Sequence, residues 1–142
     1  MNYKIFFALA LIGIALAGCT QTQPQNPNTG NQDTAVPTNA TVTITEAGYE
    51  PQNVTIKMGG TVTWTSATDR EDWPASAMHP THTVYPGSGI EKCGTAEQPG
   101  IFDACKALAN GESFSFTFNE VGEWPYHEHL AVKTFGKITV TE

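Results

Sequence analysis

Apolar and polar residues alternate along most of the chain after residue 40. The alternation is clear in five segments, TVTIT, NVTIK, TVTWTS, ESFSFTF and GKITVTE. Successive side chains of a β-strand point to opposite faces, so apolar residues at every second position form one buried face. Turn signals such as Asn110-Gly111 and Val121-Gly122 separate the segments. Short alternating strands between turns predict an all-β, antiparallel sandwich of about seven or eight strands.

Two local features refine this strand pattern. Gly59-Gly60 lies between NVTIK and TVTWTS and predicts a hairpin that joins them. The one helix that the sequence predicts is a short one around residues 103 to 109, in the segment DACKALA. No internal repeat is visible, and the length of 142 residues suggests a single folded domain.

The N-terminus has the pattern of an export signal. Lys4 is followed by an apolar run over residues 5 to 17, which is too short for a stable membrane span. The run ends in Leu16-Ala17-Gly18-Cys19, which resembles the cleavage box of bacterial lipoproteins. That resemblance implies a signal peptide over residues 1–18 and a lipidated Cys19. An ordinary signal followed by an unrelated cysteine is the alternative.

Residues 19–40 are almost entirely Gln, Asn, Thr, Pro and Gly, with one charged residue, Asp33. Such a segment buries too little apolar surface to offset the entropy of ordering it. It is therefore predicted to be a disordered polar tether, and residues 41–142 are predicted to form the folded domain. Together with Cys19, the tether predicts an exported protein that is lipid-anchored on the outer face of a bacterial membrane, in the periplasm or at the cell surface.

All four histidines fall into two close pairs. His127 and His129 lie in WPYHEHL, and His79 and His82 lie in HPTHTVYP. In a strand, His127 and His129 share one face, while Glu128 points to the other. A lone histidine is usually a surface or hydrogen-bonded residue, but two imidazoles on one face can chelate a metal ion, and histidine is the commonest metal ligand. The pairing therefore predicts a metal site.

The order of the strand motifs resembles the cupredoxin, or blue copper, family over the whole of residues 41–142. The matching motifs are Gly48-Tyr49-x-Pro51, Val54-x-Ile56-x-x-Gly59, Val62-x-Trp64, His82-Thr83-Val84, the Phe-rich strand from Phe114 to Phe118, Gly122-x-Trp124-x-Tyr126-His127 and Gly136-x-Ile138-x-Val140. The resemblance implies a cupredoxin-like antiparallel β-sandwich with Greek-key connections. It also implies that the strands leading to His82 and His127 end at the same pole.

The ligand loop departs from the blue copper pattern. Where that pattern has a cysteine, then a histidine, then a methionine after the Tyr-His pair, this chain has Glu128, Ala131 and Thr134. The thiolate that gives a blue site its colour and trigonal geometry is therefore missing from its expected place. The pair His127-x-His129 instead resembles the paired histidines of multicopper oxidases, which share the fold.

Only His82 matches a ligand of the blue copper pattern position for position. His127 and His129 are expected ligands because of their chemistry and the oxidase-like spacing. His79 lies in a proline-rich loop, and its role as a fourth ligand is left open. Imidazole donors together with the cupredoxin resemblance favour copper as the cofactor, and zinc is the second choice.

The segment between Tyr85 and Phe114 contains Cys93 and Cys105. In an exported protein, two cysteines in one loop favour a disulfide. The alternative is that one of them supplies the missing thiolate ligand. Trp73, just before the first histidine pair, either packs over the site or lies at the edge of the core, and the second position is favoured.

Charge excludes one class of partner. The formal net charge is −7, and it becomes −8 when Lys4 is removed with the signal. The seven basic residues are scattered and form no patch, so nucleic acid is not an expected partner.

Three functional classes fit these observations. The first is a membrane-anchored, copper-binding, non-enzymatic protein that transfers electrons or handles copper outside the cytoplasm, with a redox or copper-transfer protein as its partner. The second is a small copper enzyme that acts on oxygen species, with Glu128 as proton donor; the sequence shows no recognisable substrate pocket, so it ranks lower. The third is a metal-free β-sandwich interaction module, which treats both histidine pairs as accidents.

Overall fold

The structure is a computed structural model that describes residues 35 to 142. The predicted signal peptide (residues 1–18), the lipidated Cys19 and most of the predicted tether (residues 19–40) lie outside the described residues. Within residues 35 to 142, no helix is long and apolar enough to cross a membrane.

The described residues form eight β-strands in two four-stranded sheets. The strands are β1 (Asn39–Thr45), β2 (Gly48–Glu50), β3 (Asn53–Lys57), β4 (Gly60–Ser66), β5 (Pro74–Ser76), β6 (Ser113–Phe118), β7 (Gly122–Glu128) and β8 (Phe135–Thr141). One sheet has the strand order β2-β1-β4-β6, and the other has β3-β8-β7-β5. Two short 3₁₀ helices, Ile90–Lys92 and Gln98–Gly100, lie between β5 and β6. The predicted all-β sandwich is confirmed.

The two sheets have mixed rather than purely antiparallel pairing. β1 pairs with β4, and β3 pairs with β8, in parallel. The other pairs are antiparallel. The predicted hairpin at Gly59-Gly60 is wrong, because β3 and β4 belong to different sheets. Both strands bury their apolar faces in one core, so the turn carries the chain across that core from one sheet to the other.

The core fills the space between the two sheets. The alternating apolar residues predicted to share a face are buried there, with Trp64 fully enclosed near its centre. The ring of Trp64 lies 5.0 Å from that of Phe102 and 5.4 Å from that of Tyr126, measured between centroids. This burial holds β4 of one sheet against β7 of the other, and β7 is the strand that carries His127.

Residues 86 to 112, here called the insertion, pack onto the sandwich instead of looping away from it. Phe102 and Leu108 of the insertion are fully buried. The helix predicted around residues 103 to 109 is absent. Asp103 instead forms a bridge with Ala75, and Leu108 forms one with Asp72. Helix propensity contributes little free energy compared with the burial of Phe102 and Leu108. The segment therefore adopts the extended conformation that buries these side chains.

The first strand begins slightly before the predicted domain boundary. β1 starts at Asn39, within the segment predicted as tether. The carbonyl oxygens of Pro37 and Thr38 also accept hydrogen bonds, from the backbone N–H groups of Lys57 and Thr61. These pairings extend the ordered sheet region to residue 37.

Candidate metal centre

Two structural segments bring the histidines together. His127 lies in β7, where it is paired with Ala75 of β5. His129 follows the end of β7, and its backbone N–H donates to the carbonyl oxygen of Trp73. His79 and His82 lie in the loop after β5. β5 and β7 run antiparallel, so the end of β7 lies opposite the start of β5. The loop that leaves β5 therefore turns back and places the ring of His82 against those of His127 and His129.

The four histidines form a single cluster. Each offers a ring nitrogen, and these four nitrogens all lie within 4.8 Å of one another. Nε2 of His82 lies 2.9 Å from Nδ1 of His129. His82 and His127 are buried, His129 is half-buried and His79 is exposed. The cluster is therefore closed on its inner side and reaches the surface through His79.

His127 supplies the strongest sign that the cluster suits a metal ion. Its side chain is buried, yet neither Nδ1 nor Nε2 has a hydrogen-bond partner. Buried polar groups normally have a partner, and one without it destabilises the fold. A metal ion bound among the four imidazoles gives one of these nitrogens a partner. The donor set fits copper or zinc, both of which accept imidazole ligands.

The environment keeps two of the rings in the form that binds metals. Burial, reinforced by the neighbouring His82 and His79, lowers the pKa of His127 from 6.5 to about 4. The same causes lower the pKa of His129. Neutral imidazole is the metal-binding form, so these two histidines do not need to lose a proton near neutral pH before they bind.

Asp103 holds His82 from the side opposite the cluster. Its Oδ2 lies 2.5 Å from Nδ1 of His82, and both side chains are fully buried. Burial on its own raises the pKa of Asp103, but hydrogen bonds from His82, Trp73 and the N–H of Cys105 outweigh it and lower the pKa below its ordinary value. An ionised carboxylate only accepts hydrogen bonds, so Nδ1 carries the proton and Nε2 faces the cluster.

Trp73 also belongs to the site. Its Nε1 donates to Oδ1 of Asp103 at 2.6 Å, and its ring lies 4.7 Å from that of His129 between centroids. The sequence favoured a place at the core edge for Trp73, and the structure instead packs it on a histidine of the cluster. Asp103 was missed altogether as a site residue, because it lies in an insertion with no recognisable motif.

Glu128 is separate from the cluster. As its position in β7 predicts, it points away from the histidines: Oε1 accepts from the backbone N–H of Trp73 at 2.5 Å, and Oε2 accepts from Tyr49 Oη at 3.3 Å. Burial raises the pKa of this carboxyl. These contacts give Glu128 a structural role, in which it joins β7 to β2 and to the residue that precedes β5. They do not place it where a proton donor to the cluster would act.

The expected disulfide between Cys93 and Cys105 is present, with the Cα atoms 5.3 Å apart. The two sulfur atoms lie near the Asp103 carboxylate. Since they are bonded to each other, neither is a thiolate. The alternative in which one of them completes a blue copper site therefore has no support in this structure.

The fold matches solved cupredoxins. A purple cupredoxin from Nitrosopumilus maritimus superposes with a TM-score of 0.54 at 24% identity, covering 72% of this chain and 99% of the other. Amicyanin from Paracoccus versutus gives 0.52 at 20%, covering 75% and 90%. A Cu-containing nitrite reductase from Thermus scotoductus gives 0.52 at 19%, covering 75% of this chain and 23% of its own length. No family model matches the sequence.

At these identities the comparisons establish the fold. Residues 35 to 142 adopt the cupredoxin fold, with a cluster of four histidines that could hold a metal ion and no cysteine ligand among the described residues. The resemblance seen in the strand motifs is thus confirmed at the level of architecture. The missing cysteine ligand, expected from the sequence of the ligand loop, is also missing from the histidine cluster in the structure.

Proposed function

We propose that this protein is a copper-binding cupredoxin-like protein that transfers electrons or handles copper outside the cytoplasm. The observation that carries the proposal is the cluster itself: four imidazole nitrogens within 4.8 Å of one another, one histidine of which is buried with both ring nitrogens unpartnered. A buried imidazole without a partner lowers the stability of the fold, and an ion at the centre of the cluster would give it one.

Copper is favoured over other metals for two reasons. Affinity at a given nitrogen site peaks at copper in the divalent first-row series. The fold is shared with proteins whose names include copper, namely a reduced Cu(I) form of amicyanin and a Cu-containing nitrite reductase. Zinc is the second candidate, since structural zinc sites also use four nitrogen or sulfur donors.

Three buried or half-buried histidines are the proposed main ligands: His82 through Nε2, together with His127 and His129. His79 is the proposed fourth ligand, on the solvent side. When bound, copper supplies a one-electron redox couple, and nitrogen donors without a thiolate favour its Cu(II) state. The exposed position of His79 leaves an edge of the site within reach of a partner protein.

The proposed location follows from the N-terminal segment. A lipid on Cys19 would hold the protein at the outer face of a bacterial membrane, and residues 20–36 would separate the domain from the lipid surface. Burial of acyl CH₂ groups provides the anchor, at about 0.8 kcal/mol each. A redox or copper-transfer protein at the same membrane is the proposed partner.

The enzymatic alternative rests on a weaker footing. It assigned proton donation to Glu128, but this carboxyl is bonded to Tyr49 and to the backbone N–H of Trp73, outside the cluster. The likeness to a Cu-containing nitrite reductase, at 19% identity, concerns the fold and carries no activity over to this chain. The copper-protein proposal is therefore the one to test first.

Metal loading of the mature protein tests the proposal. The expected result is one copper per chain by elemental analysis, an EPR spectrum with nitrogen superhyperfine coupling, and a pale solution. Competition with zinc provides the control for metal choice. Failure to retain stoichiometric copper would contradict the proposal, and failure to retain zinc as well would favour the interaction module. An intense visible thiolate-to-copper band would show that a cysteine is a ligand.

A further inference from the structure

Asp103 contacts two different parts of the histidine cluster with its two carboxylate oxygens. Oδ2 bonds the ring of His82 at 2.5 Å. Oδ1 accepts from Nε1 of Trp73 at 2.6 Å, and the ring of Trp73 packs on His129. A single buried carboxylate therefore reaches two histidines, one directly and one through an intervening indole.

We propose that Asp103 is the positioning residue of the metal site, which orients His82 directly and His129 through Trp73. The proposal rests on the proposed function, because it assumes that the cluster binds a metal. Histidine ligands commonly donate their second N–H to a carboxylate, which fixes the tautomer and the ring plane and makes the ligand more basic. The contact between His82 and Asp103 has this form.

The insertion holds Asp103 firmly in place. Asp103 forms a bridge with Ala75 of β5, the same residue that pairs with His127 on its other side. The backbone N–H of Ala104 donates to the carbonyl oxygen of Pro74, and that of Ser76 donates to the carbonyl of Phe102. This segment thus continues the sheet beyond β5. Its backbone hydrogen bonds to β5 fix the position from which the Asp103 carboxylate reaches the cluster.

Two further contacts stabilise the segment around the carboxylate. The side chain of Phe102 is fully buried against Trp64 in the core. On the other side, Cys105 donates its backbone N–H to Oδ1 of Asp103 at 2.8 Å and is bonded to Cys93. The insertion that interrupts the strand pattern therefore supplies the one carboxylate that contacts the cluster among the described residues.

The charge of Asp103 bears on the state of the metal. Four neutral imidazoles leave the full positive charge of a bound ion uncompensated. A buried carboxylate beyond His82 lies in surroundings of low effective dielectric, where opposite charges attract more strongly than in water. The attraction is greater for Cu(II) than for Cu(I). Removing the charge is therefore expected to raise the reduction potential as well as to lower the affinity.

A purely structural role for Asp103 makes different predictions, and a matched variant separates the two. Asp72 is also a fully buried carboxylate that bridges to the insertion, but it accepts hydrogen bonds from Ser66, Thr68 and Arg70 and is not in the cluster. Asp72→Asn therefore serves as the control for Asp103→Asn. Both remove one buried charge at nearly constant volume.

The experiment compares the mature protein with the two variants. Cu(II) affinity is measured by chelator competition, the reduction potential by voltammetry, and the tautomer of His82 by ¹H–¹⁵N NMR of the metal-free protein. For Asp103→Asn we expect a loss of affinity of about 10- to 100-fold, a raised potential and a changed His82 tautomer signal. Asp72→Asn is expected to lower stability while leaving all three readouts near those of the unmodified protein.

Trp73→Phe gives a second test that does not depend on the folding of Asp103→Asn. It removes the Nε1 donor but keeps an aromatic ring next to His129, and it should lower the affinity by about tenfold while the His82 tautomer stays unchanged. Suppose that the unmodified protein binds copper and that Asp103→Asn and Trp73→Phe both have the affinity, potential and His82 tautomer of Asp72→Asn. The inference about Asp103 is then overturned, while the proposed function stands. If the unmodified protein binds no copper, the proposed function fails, and the inference fails with it.

Discussion

At the scale of single residues, His127 differs from the other three histidines. Its ring is buried, and within residues 35 to 142 no group bonds either of its nitrogens. His82 already bonds Asp103 and lies against His129, whereas His79 faces solvent. A metal ion therefore changes the surroundings of His127 more than those of His79.

Replacement of single histidines should reveal this order. His127→Ala is expected to lower the Cu(II) affinity by at least about 100-fold, since changes outside the ligand set alone commonly cost 10- to 100-fold. His79→Ala is expected to cost less, because an exposed ligand can be replaced by water. Chelator competition on both variants measures the difference. An equal or greater loss in His79→Ala would contradict the assignment of His79 as the outer ligand.

The low pKa of His127 makes the stability of the metal-free protein depend on pH. The folded protein has a pKa of about 4 at this residue against 6.5 for an ordinary histidine. Between these values the unfolded chain binds a proton that the folded chain does not. The free energy of unfolding therefore has its full value above pH 6.5 and should fall as the pH drops toward 4. One such group gives a slope of up to about 1.4 kcal/mol per pH unit.

Urea denaturation of the metal-free protein at several pH values measures this slope. His127→Gln removes the titrating group and should flatten it, although His129, whose pKa is also lowered, contributes in the same direction. A slope that is unchanged in His127→Gln would mean that other groups cause the acid sensitivity.

At the scale of elements, the pairing of β7 with β8 sets the position of the strand that carries His127. Gly136 of β8 lies opposite Tyr126 of β7. A Cβ at Gly136 would lie 2.5 Å from Cζ of Tyr126 and 2.6 Å from its hydroxyl oxygen, and it would also collide with the carbonyl oxygen of Gln52. Only a glycine lets the two strands and this ring pack so closely.

Gly136→Ala should therefore lower the free energy of unfolding by about 1–3 kcal/mol, the usual range for overpacking. Because Tyr126 directly precedes His127, the variant should also bind copper more weakly. Gly100→Ala is the control, since a Cβ there meets no atom within 4 Å, and its effect should stay within about 0.5 kcal/mol. Denaturation of the metal-free proteins measures the free energy of unfolding of both variants. Similar values for the two would contradict the packing argument.

The insertion shows why some elements could not be predicted. Residues 103 to 109 read DACKALA, which locally favours a helix. In the structure, burial of Phe102 and the bridges at Asp103 and Leu108 keep the segment extended. The stabilisation comes from contacts with residues distant in sequence, so the local sequence pattern does not reveal it. The same holds for the Gly59-Gly60 turn, whose neighbours pair with β8 and β6 instead of with each other.

At the scale of the whole molecule, the proposed lipid on Cys19 sets where the protein is located. Cys19→Ala should abolish lipidation and release the exported protein from the membrane into a soluble fraction. Cell fractionation followed by detection of the protein measures this, with a substitution in the tether, Asn26→Ala, as the control that leaves Cys19 intact. A Cys19→Ala protein that stays in the membrane fraction after signal cleavage would point to another anchor.

The sequence alone determined the class of fold and four of the residues at the candidate site. Period-two alternation is a local property of strands, so the sandwich and most of its core could be predicted from it, and the close spacing within each histidine pair marked a candidate metal site. Only the tertiary structure decided that the two pairs form one cluster, that β1 and β4 run parallel, and that Asp103 and Trp73 support the histidines. These contacts join segments far apart in the chain, and they depend on which apolar faces bury together, which no single segment encodes.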